Sequence, residues 1–267
     1  GRLAARMPRD DKPRPYRRGF SFGGMRMTDD EIDMLGRGFC ACTLPKEHWT
    51  HGAHFATALW LRRTFDANVL VLDAYWSRGI EENWKTGTRF GATMRALDAI
   101  AAARWLRDAQ GTDPARTFLL GDSQGGWTVL RTFTDEPLWR DEVRQLYRGG
   151  IALYPVCKEN GTAVYPRLGP YVAPVIVFTG GRDTATPVDE CRKGVFTAAT
   201  QWVHYRDQTH AWDVANRGAH TPAVDGECSR AMNVYNRFAV CRSDATTRDM
   251  HQKIEGFVRE ALRRPPP

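Results

Sequence analysis

Short apolar runs recur from residue 68 onward: NVLVLDAYW (68–76), ARTFLLG (115–121), GGIALYP (149–155), APVIVFTG (173–180) and TQWVHYR (200–206). Runs this short and this continuous fit strands buried on both faces of a parallel sheet, not strands with one wet side. Between them, apolar residues fall at helical spacing. FGATMRALDAIAAARWLRD (90–108) is alanine-rich and predicts a helix, and GGWTVLRTF (125–133) starts another directly after a strand. Near the end, TRDMHQKIEGFVREAL (247–262) puts Ile254, Phe257, Val258, Ala261 and Leu262 on one stripe, and RRPPP stops it.

Strand and helix alternate from residue 68 onward, which predicts a doubly wound, mostly parallel sheet in three α/β/α layers. Before that point the pattern differs. Residues 1–24 read as an irregular arm. Thr28 ahead of acidic residues, then Ile32, Met34 and Leu35, marks a helix start. HWTHGAHFATALWLRRTF continues at helical spacing through Phe55, Leu59, Trp60 and Phe65. Residues 25–65 are therefore expected to be mostly helical, within a single domain spanning 25–267.

Composition changes this picture little. Hydrophobic residues make up 42 % of the 267 and charged residues 26 %, enough apolar content for a sizeable core. No apolar run reaches the roughly 18–20 residues that span a bilayer. The net charge of +7 hints at nucleic acid, but residues 1–18 alone carry seven Lys/Arg against two Asp, so the remainder stands at +2. A basic face spread over the fold is missing, and nucleic-acid binding is not expected. The first residues show no signal-peptide pattern. Six cysteines occur at 40, 42, 157, 191, 228 and 241 with no C-x-x-C pair, which excludes the usual zinc and thioredoxin spacings. The even count allows disulfides and equally allows six reduced thiols.

The chemistry concentrates at TFLLGDSQGGWTVL (117–130). A strand, Thr117–Leu120, must reverse into a helix within a few residues. A turn that tight strains its central residue and presses neighbouring backbone together, so glycine is expected two before and two after the serine, at Gly121 and Gly125. Ser123 is then lifted onto a helix N-terminus, with the Gln124 N–H aimed where an oxyanion forms. A serine hydroxyl needs a base, and the base needs an orienting acid. In this arrangement the chain order is Ser, acid, His, each at a strand end. Asp183 follows the strand Val175–Thr179, and His210 follows Val203–Tyr205. Each has a bland alternative: a turn residue for Asp183, a surface loop for His210. Asp207 and Asp213 compete as the acid, although both lie beside the histidine. His204 lies inside a strand and is expected to be packed.

NVLVLDAYWSRGI, RALDAIAAARWLRD, DPARTFLLGDSQGGW, ALYPVC, VIVFTGGRDTATPVDEC and YRDQTHAWD, taken in order over roughly residues 66–215, resemble the dienelactone hydrolase branch of the α/β-hydrolases. The resemblance implies an α/β-hydrolase-type sheet, Ser123 as nucleophile, Asp183 as acid, His210 as base and Gln124 as one oxyanion donor. It implies Ala53, after His51-Gly52, as the second donor, and Arg78 beside a substrate carboxylate, with a salt bridge to a neighbouring acid as the alternative for Arg78. Trp127 is expected to touch substrate. The founding members of that branch use a cysteine nucleophile where this chain has Ser123, which favours a general esterase-like role. Several family strands before NVLVLD have no counterpart here.

The same resemblance implies that Cys157 and Cys191 lie near each other. Cys228 and Cys241 flank SRAMNVYNRFAV, within a segment (214–245) placed to overhang the site as a lid, where Met232, Tyr235 and Phe238 suit an apolar substrate. Both pairs are expected to be bridged, which favours a periplasmic or secreted location over a cytoplasmic one. His48, His51 and His54 repeat at three-residue spacing, but with no acidic or cysteine ligand at matching positions no metal site is expected. The expected function is a cofactor-free serine hydrolase of a small-molecule carboxylic ester or lactone. A peptidase of the same fold and a catalytically weak binding protein are the rivals. Nothing in the sequence bears on oligomeric state.

Overall fold

A computed structural model describes residues 52–72, 91–159, 162–163, 170–191, 200–214, 216–218, 221–232 and 237–265. Four strands pair in chain order, all parallel: β1 (Phe118–Asp122), β2 (Gly149–Leu153), β3 (Val175–Gly180) and β4 (Thr200–Tyr205). Because side chains alternate along a strand, β2 and β3 feed two separate cores. Ala152, Val175 and Val177 pack on one face against helices α2 (Ala92–Gln110), α3 (Gln124–Thr132) and α4 (Arg140–Leu146). Ile151, Leu153, Ile176 and Phe178 pack on the other against α5 (Asp244–Arg263) and aromatic residues of α1 (Gly52–Phe65). The result is the three-layer, doubly wound α/β/α arrangement expected from the alternating pattern.

The buried stripe of α5 is Met250, Ile254, Phe257, Val258 and Ala261, one turn longer at its start than the sequence pattern implied, with Leu262 only half-buried. Ser243 caps its first turn by accepting from the Thr246 N–H at 3.3 Å. At its far end the buried Arg148 guanidinium, just ahead of β2, donates to the Ala261 carbonyl at 2.8 Å and the Pro265 carbonyl at 3.1 Å. A cation on the last carbonyls satisfies acceptors that the helix itself leaves open.

One expected strand is not found. Residues 66–72 form no ladder, and Leu72 is 45 % exposed; 73–76 lie outside the described residues. An apolar run favours a strand only where a neighbour pairs with it and covers it, and tertiary context decides whether one is there. The expected helicity before it holds for α1, while 25–51 lie outside the described residues.

Within 214–245, the described residues form two antiparallel pairs ahead of α5. Asn216–Gly218 pairs with Thr221–Pro222, and β5 (Cys228–Met232) pairs with β6 (Arg237–Cys241). A disulfide joins Cys228 to Cys241 at the base of this second hairpin, and another joins Cys157 to Cys191. Cys40 and Cys42 lie outside the described residues. Among those residues, no helix is long and apolar enough to cross a membrane.

Candidate active site

One residue, Ser123, separates the end of β1 from the start of α3. Its φ of 51° and ψ of −110° lie in a region that costs a non-glycine residue about 1–3 kcal/mol. Neighbouring backbone holds it there. The Ser123 N–H donates to the Leu153 carbonyl at 2.9 Å, and the Ser123 carbonyl accepts from the N–H groups of Val156 at 3.0 Å and Trp127 at 3.1 Å. The glycines around it are not used as the sequence pattern implied. A Cβ on Gly121 would collide with the Gly125 carbonyl, but one on Gly125 would meet only Asp122 Oδ1 at 3.6 Å, an ordinary contact. The second obligatory glycine is Gly126, where a Cβ would stand 2.9 Å from Pro155 Cβ. That glycine lets α3 lie against the end of β2.

Asp183 and His210 come from the loops after β3 and β4, as expected. His210 Nε2 is 3.0 Å from Ser123 Oγ, and His210 Nδ1 is 2.8 Å from Asp183 Oδ2. Both partners are buried, with His210 5 % and Asp183 4 % exposed, so water does not compete for the bond between them. The Asp183 carboxylate is saturated. Oδ1 accepts from the N–H groups of Ala185 and Thr186, both at 2.8 Å, and Oδ2 also accepts from Thr186 Oγ1 at 2.7 Å. The two loops are locked backbone to backbone: the Gly181 N–H donates to the Tyr205 carbonyl and the Arg182 N–H to the Gln208 carbonyl, each at 2.9 Å. A Cβ at Gly181 would collide with the Arg206 carbonyl.

Of the competing acids, Asp213 accepts from the Tyr154 hydroxyl at 2.8 Å and Asp207 is exposed. Burial pushes the Asp213 carboxyl up to about 6, and burial likewise holds the Tyr154 hydroxyl well above the usual phenol range. His204 sits in β4 with Nδ1 3.0 Å from Thr179 Oγ1, in keeping with a packed strand residue. The His210 ring is flanked edge-on by Tyr154 at 4.8 Å and by Phe238 of β6 at 5.3 Å. Three of the four non-glycine residues with positive φ among the described residues, Ser123, Tyr154 and Ala211, belong to this cluster. Strain of that kind collects where surroundings over-determine the backbone, as at functional sites.

Gln124 heads α3, where first-turn N–H groups point out of the helix past Ser123. Its side-chain Oε1 accepts from Arg95 Nη1 of α2 at 3.2 Å. Trp127 departs from its expected role. It is 2 % exposed, lies in the core with α2 and α3, and stacks under the Arg95 guanidinium at 5.4 Å. One turn into α3, its side chain falls on the helix face that packs inward. Ala53 lies in the first turn of α1, not in a loop after a strand. Arg78, His48 and His51 lie outside the described residues, and His54 falls within α1. Thr186 and Tyr154 make direct contacts with the cluster that the sequence did not assign, whereas Phe238, expected in the overhanging segment, packs on His210. For Thr186 a signal existed, since Asp183-Thr-Ala-Thr is an Asx-type turn sequence.

No family model and no curated protein matches the chain. Among solved structures it is similar to a sugar hydrolase from Lactococcus lactis, at 13 % identity over 77 % of this chain and 80 % of that one, with a TM-score of 0.49. It is also similar to a candidate dienelactone hydrolase from Klebsiella pneumoniae, at 16 % identity over 65 % and 63 %, TM-score 0.45. A third is esterase 2 of Thermogutta terrifontis, at 16 % identity over 64 % and 65 %, TM-score 0.42. The chain spans just under two thirds of the latter two. All three carry hydrolase names.

Proposed function

We propose that the protein is a serine hydrolase of carboxylic esters or lactones. The observation that carries this reading is the unbroken hydrogen-bonded series from Ser123 Oγ through His210 to Asp183, centred on a strained serine at a helix N-terminus. Ser123 Oγ attacks the carbonyl carbon while His210 Nε2 takes its proton. Asp183 holds the proton of His210 on Nδ1 and stabilises the cation that forms. The Gln124 N–H, with the positive end of α3 behind it, faces the oxyanion. His210 then returns the proton to the leaving oxygen. A water, deprotonated by the same nitrogen, resolves the acyl-enzyme. The steps use side chains, backbone and water, with no cofactor.

The β5–β6 hairpin serves in this reading as a lid that walls the site with Phe238 and favours apolar substrates. Its position against His210 supports this role. The Cys241 N–H donates to Thr209 Oγ1 at 2.9 Å, next to the base, so the hairpin and the histidine loop are coupled.

A fluorophosphonate probe tests the assignment. Wild type should label at one serine, Ser123→Ala should not label, and wild type should turn over aryl esters with a preference among acyl lengths. Equal labelling of both proteins would remove Ser123 as nucleophile. Labelling without turnover of any aryl ester or lactone, but with cleavage of aryl amides, would move the substrate class to peptides.

A further inference from the structure

Tyr154 stands where the three loops of the site meet. Its N–H donates to the Phe178 carbonyl of β3 at 2.7 Å, and its carbonyl lies 3.1 Å from Thr186 Oγ1, in the Asp183 loop. The residue before it, Leu153, accepts from the Ser123 N–H. Its ring packs on His210 and on Trp212, with centroids at 4.8 Å and 5.0 Å. Its hydroxyl donates to Asp213 in the histidine loop at 2.8 Å. With a φ of 34°, its backbone takes a left-handed conformation that a tyrosine adopts only when surroundings impose it. Core packing alone would be satisfied by phenylalanine. The hydroxyl matters only through Asp213.

We propose that Tyr154 and Asp213 form a positioning pair for His210. The hydroxyl–carboxylate bond braces the ring on which His210 leans, and the Asp213 charge favours the imidazolium that forms when Ser123 loses its proton. This inference rests on the serine hydrolase reading above. The charged and titratable groups that bear on the pair are Asp122 at the end of β1, Asp183 after β3, and His210 itself. Asp122 opposes ionisation of Asp213, while His210 and the Tyr154 hydroxyl favour it. With Asp213 titrating at about 6, the carboxylate is charged at neutral pH and loses its charge in the range where a histidine takes one up.

The substitutions separate the two roles. Asp213→Asn removes the charge, and its amide oxygen can still accept from the Tyr154 hydroxyl. Tyr154→Phe removes the brace, and without that donor the Asp213 carboxyl rises further, so its charge is also lost nearer neutrality. The experiment is the rate of fluorophosphonate labelling of the full chain from acid to mildly alkaline pH, for wild type, both single variants and the double variant. Each rate is scaled to the amount of reactive serine, and folding is checked by melting temperature. The rate requires neutral His210, so its acid limb reports the ionisation of that residue.

Both single variants should move the limb to lower pH by roughly half to one pH unit, the size expected for one charge at short range in a partly buried site. Tyr154→Phe should also lower the plateau by about tenfold through misplacement of the base, and Asp213→Asn should lower it less. The double variant should move the limb no further than Asp213→Asn alone, because one pair is being removed. Limbs that coincide with wild type in the folded variants, or shifts that add in the double variant, would overturn the proposal. If one single variant fails to fold, the other decides. Wild type that labels at no pH would refute the hydrolase reading and this inference with it, an outcome distinct from unshifted limbs.

Discussion

Asp183→Asn keeps the shape of the acid and removes its charge, and the structure dictates which way the new amide turns. Asp183 Oδ1 accepts from two backbone N–H groups, Ala185 and Thr186, both at 2.8 Å. Those donors cannot rotate, so the asparagine must present its oxygen there. Its NH2 then occupies the Oδ2 position, 2.8 Å from His210 Nδ1, and donates to that nitrogen. The histidine proton is displaced to Nε2, facing Ser123 Oγ at 3.0 Å, where a proton acceptor is needed. Turning the ring is no escape, because Tyr154 and Phe238 flank it at 4.8 Å and 5.3 Å. Thr186 Oγ1 loses its acceptor at Oδ2 but can donate to the Tyr154 carbonyl at 3.1 Å, so the fold is spared. The expected loss in kcat is about 10⁴, by analogy with the serine proteases, or about 5.4 kcal/mol of transition-state stabilisation. Asp207→Asn and Asp213→Asn should cost about tenfold or less, since neither sets the tautomer. The assay is aryl ester hydrolysis per titrated serine, with circular dichroism to check the fold. A kcat near wild type in Asp183→Asn, or a collapse in Asp207→Asn, would refute the assignment of the acid.

Gly121→Ala should cost about 3 kcal/mol or more in chemical unfolding, because its methyl would collide with backbone. Gly125→Ala should leave stability within about 1 kcal/mol of wild type or raise it, since an alanine methyl finds room in the first turn of a helix; equal damage from both would contradict the geometry of the turn. Timed alkylation and peptide mapping under mild reductant should open Cys228–Cys241 first, since Cys228 is exposed while Cys157 and Cys191 are 1 % and 0 % exposed. Loss of the Cys228–Cys241 bridge, with a sequence separation of 13, should weaken the hairpin by about 3 kcal/mol on chain entropy. Serine labelling should slow with it, through the Cys241–Thr209 bond. Opening of the buried bridge first would reject this order.

The residues brought together as Ser123, Asp183 and His210 are legible in the sequence because each lies just past an apolar run, and a strand end in a parallel sheet is a position in space as well as in sequence. β2 and β3 are legible for the same reason, since burial on both faces removes polar positions. The stretch 68–76 carries the same signal but is neither paired nor fully buried over the part that is described, because an apolar run alone does not supply the neighbour that would pair with it and cover it. The sequence assigns Trp127 to substrate, whereas it packs in the core, because an apolar residue one turn past the serine suits a core as well as a pocket. The need for Gly126 is hidden because it arises from Pro155, 29 residues away, and the Tyr154–Asp213 bond because it joins two loops across a chain separation of 59. Contacts of that kind have no local pattern to read.

The seal between the Asp183 and His210 loops bears on how this scaffold tolerates length change. With Gly181 and Arg182 bonded to Tyr205 and Gln208, and no room for even a methyl at Gly181, an added residue in either loop would pull the acid from the base. Among the described residues of 216–241, the ties to His210 and its loop lie near one end, through Phe238 on the His210 ring and Cys241 on Thr209. Hairpins of other lengths can therefore be grafted between the Cys228 and Cys241 anchor points while the hydrogen-bonded trio keeps its spacing. In library design, that hairpin is the exchangeable cassette and residues 180–186 and 205–210 are the fixed frame.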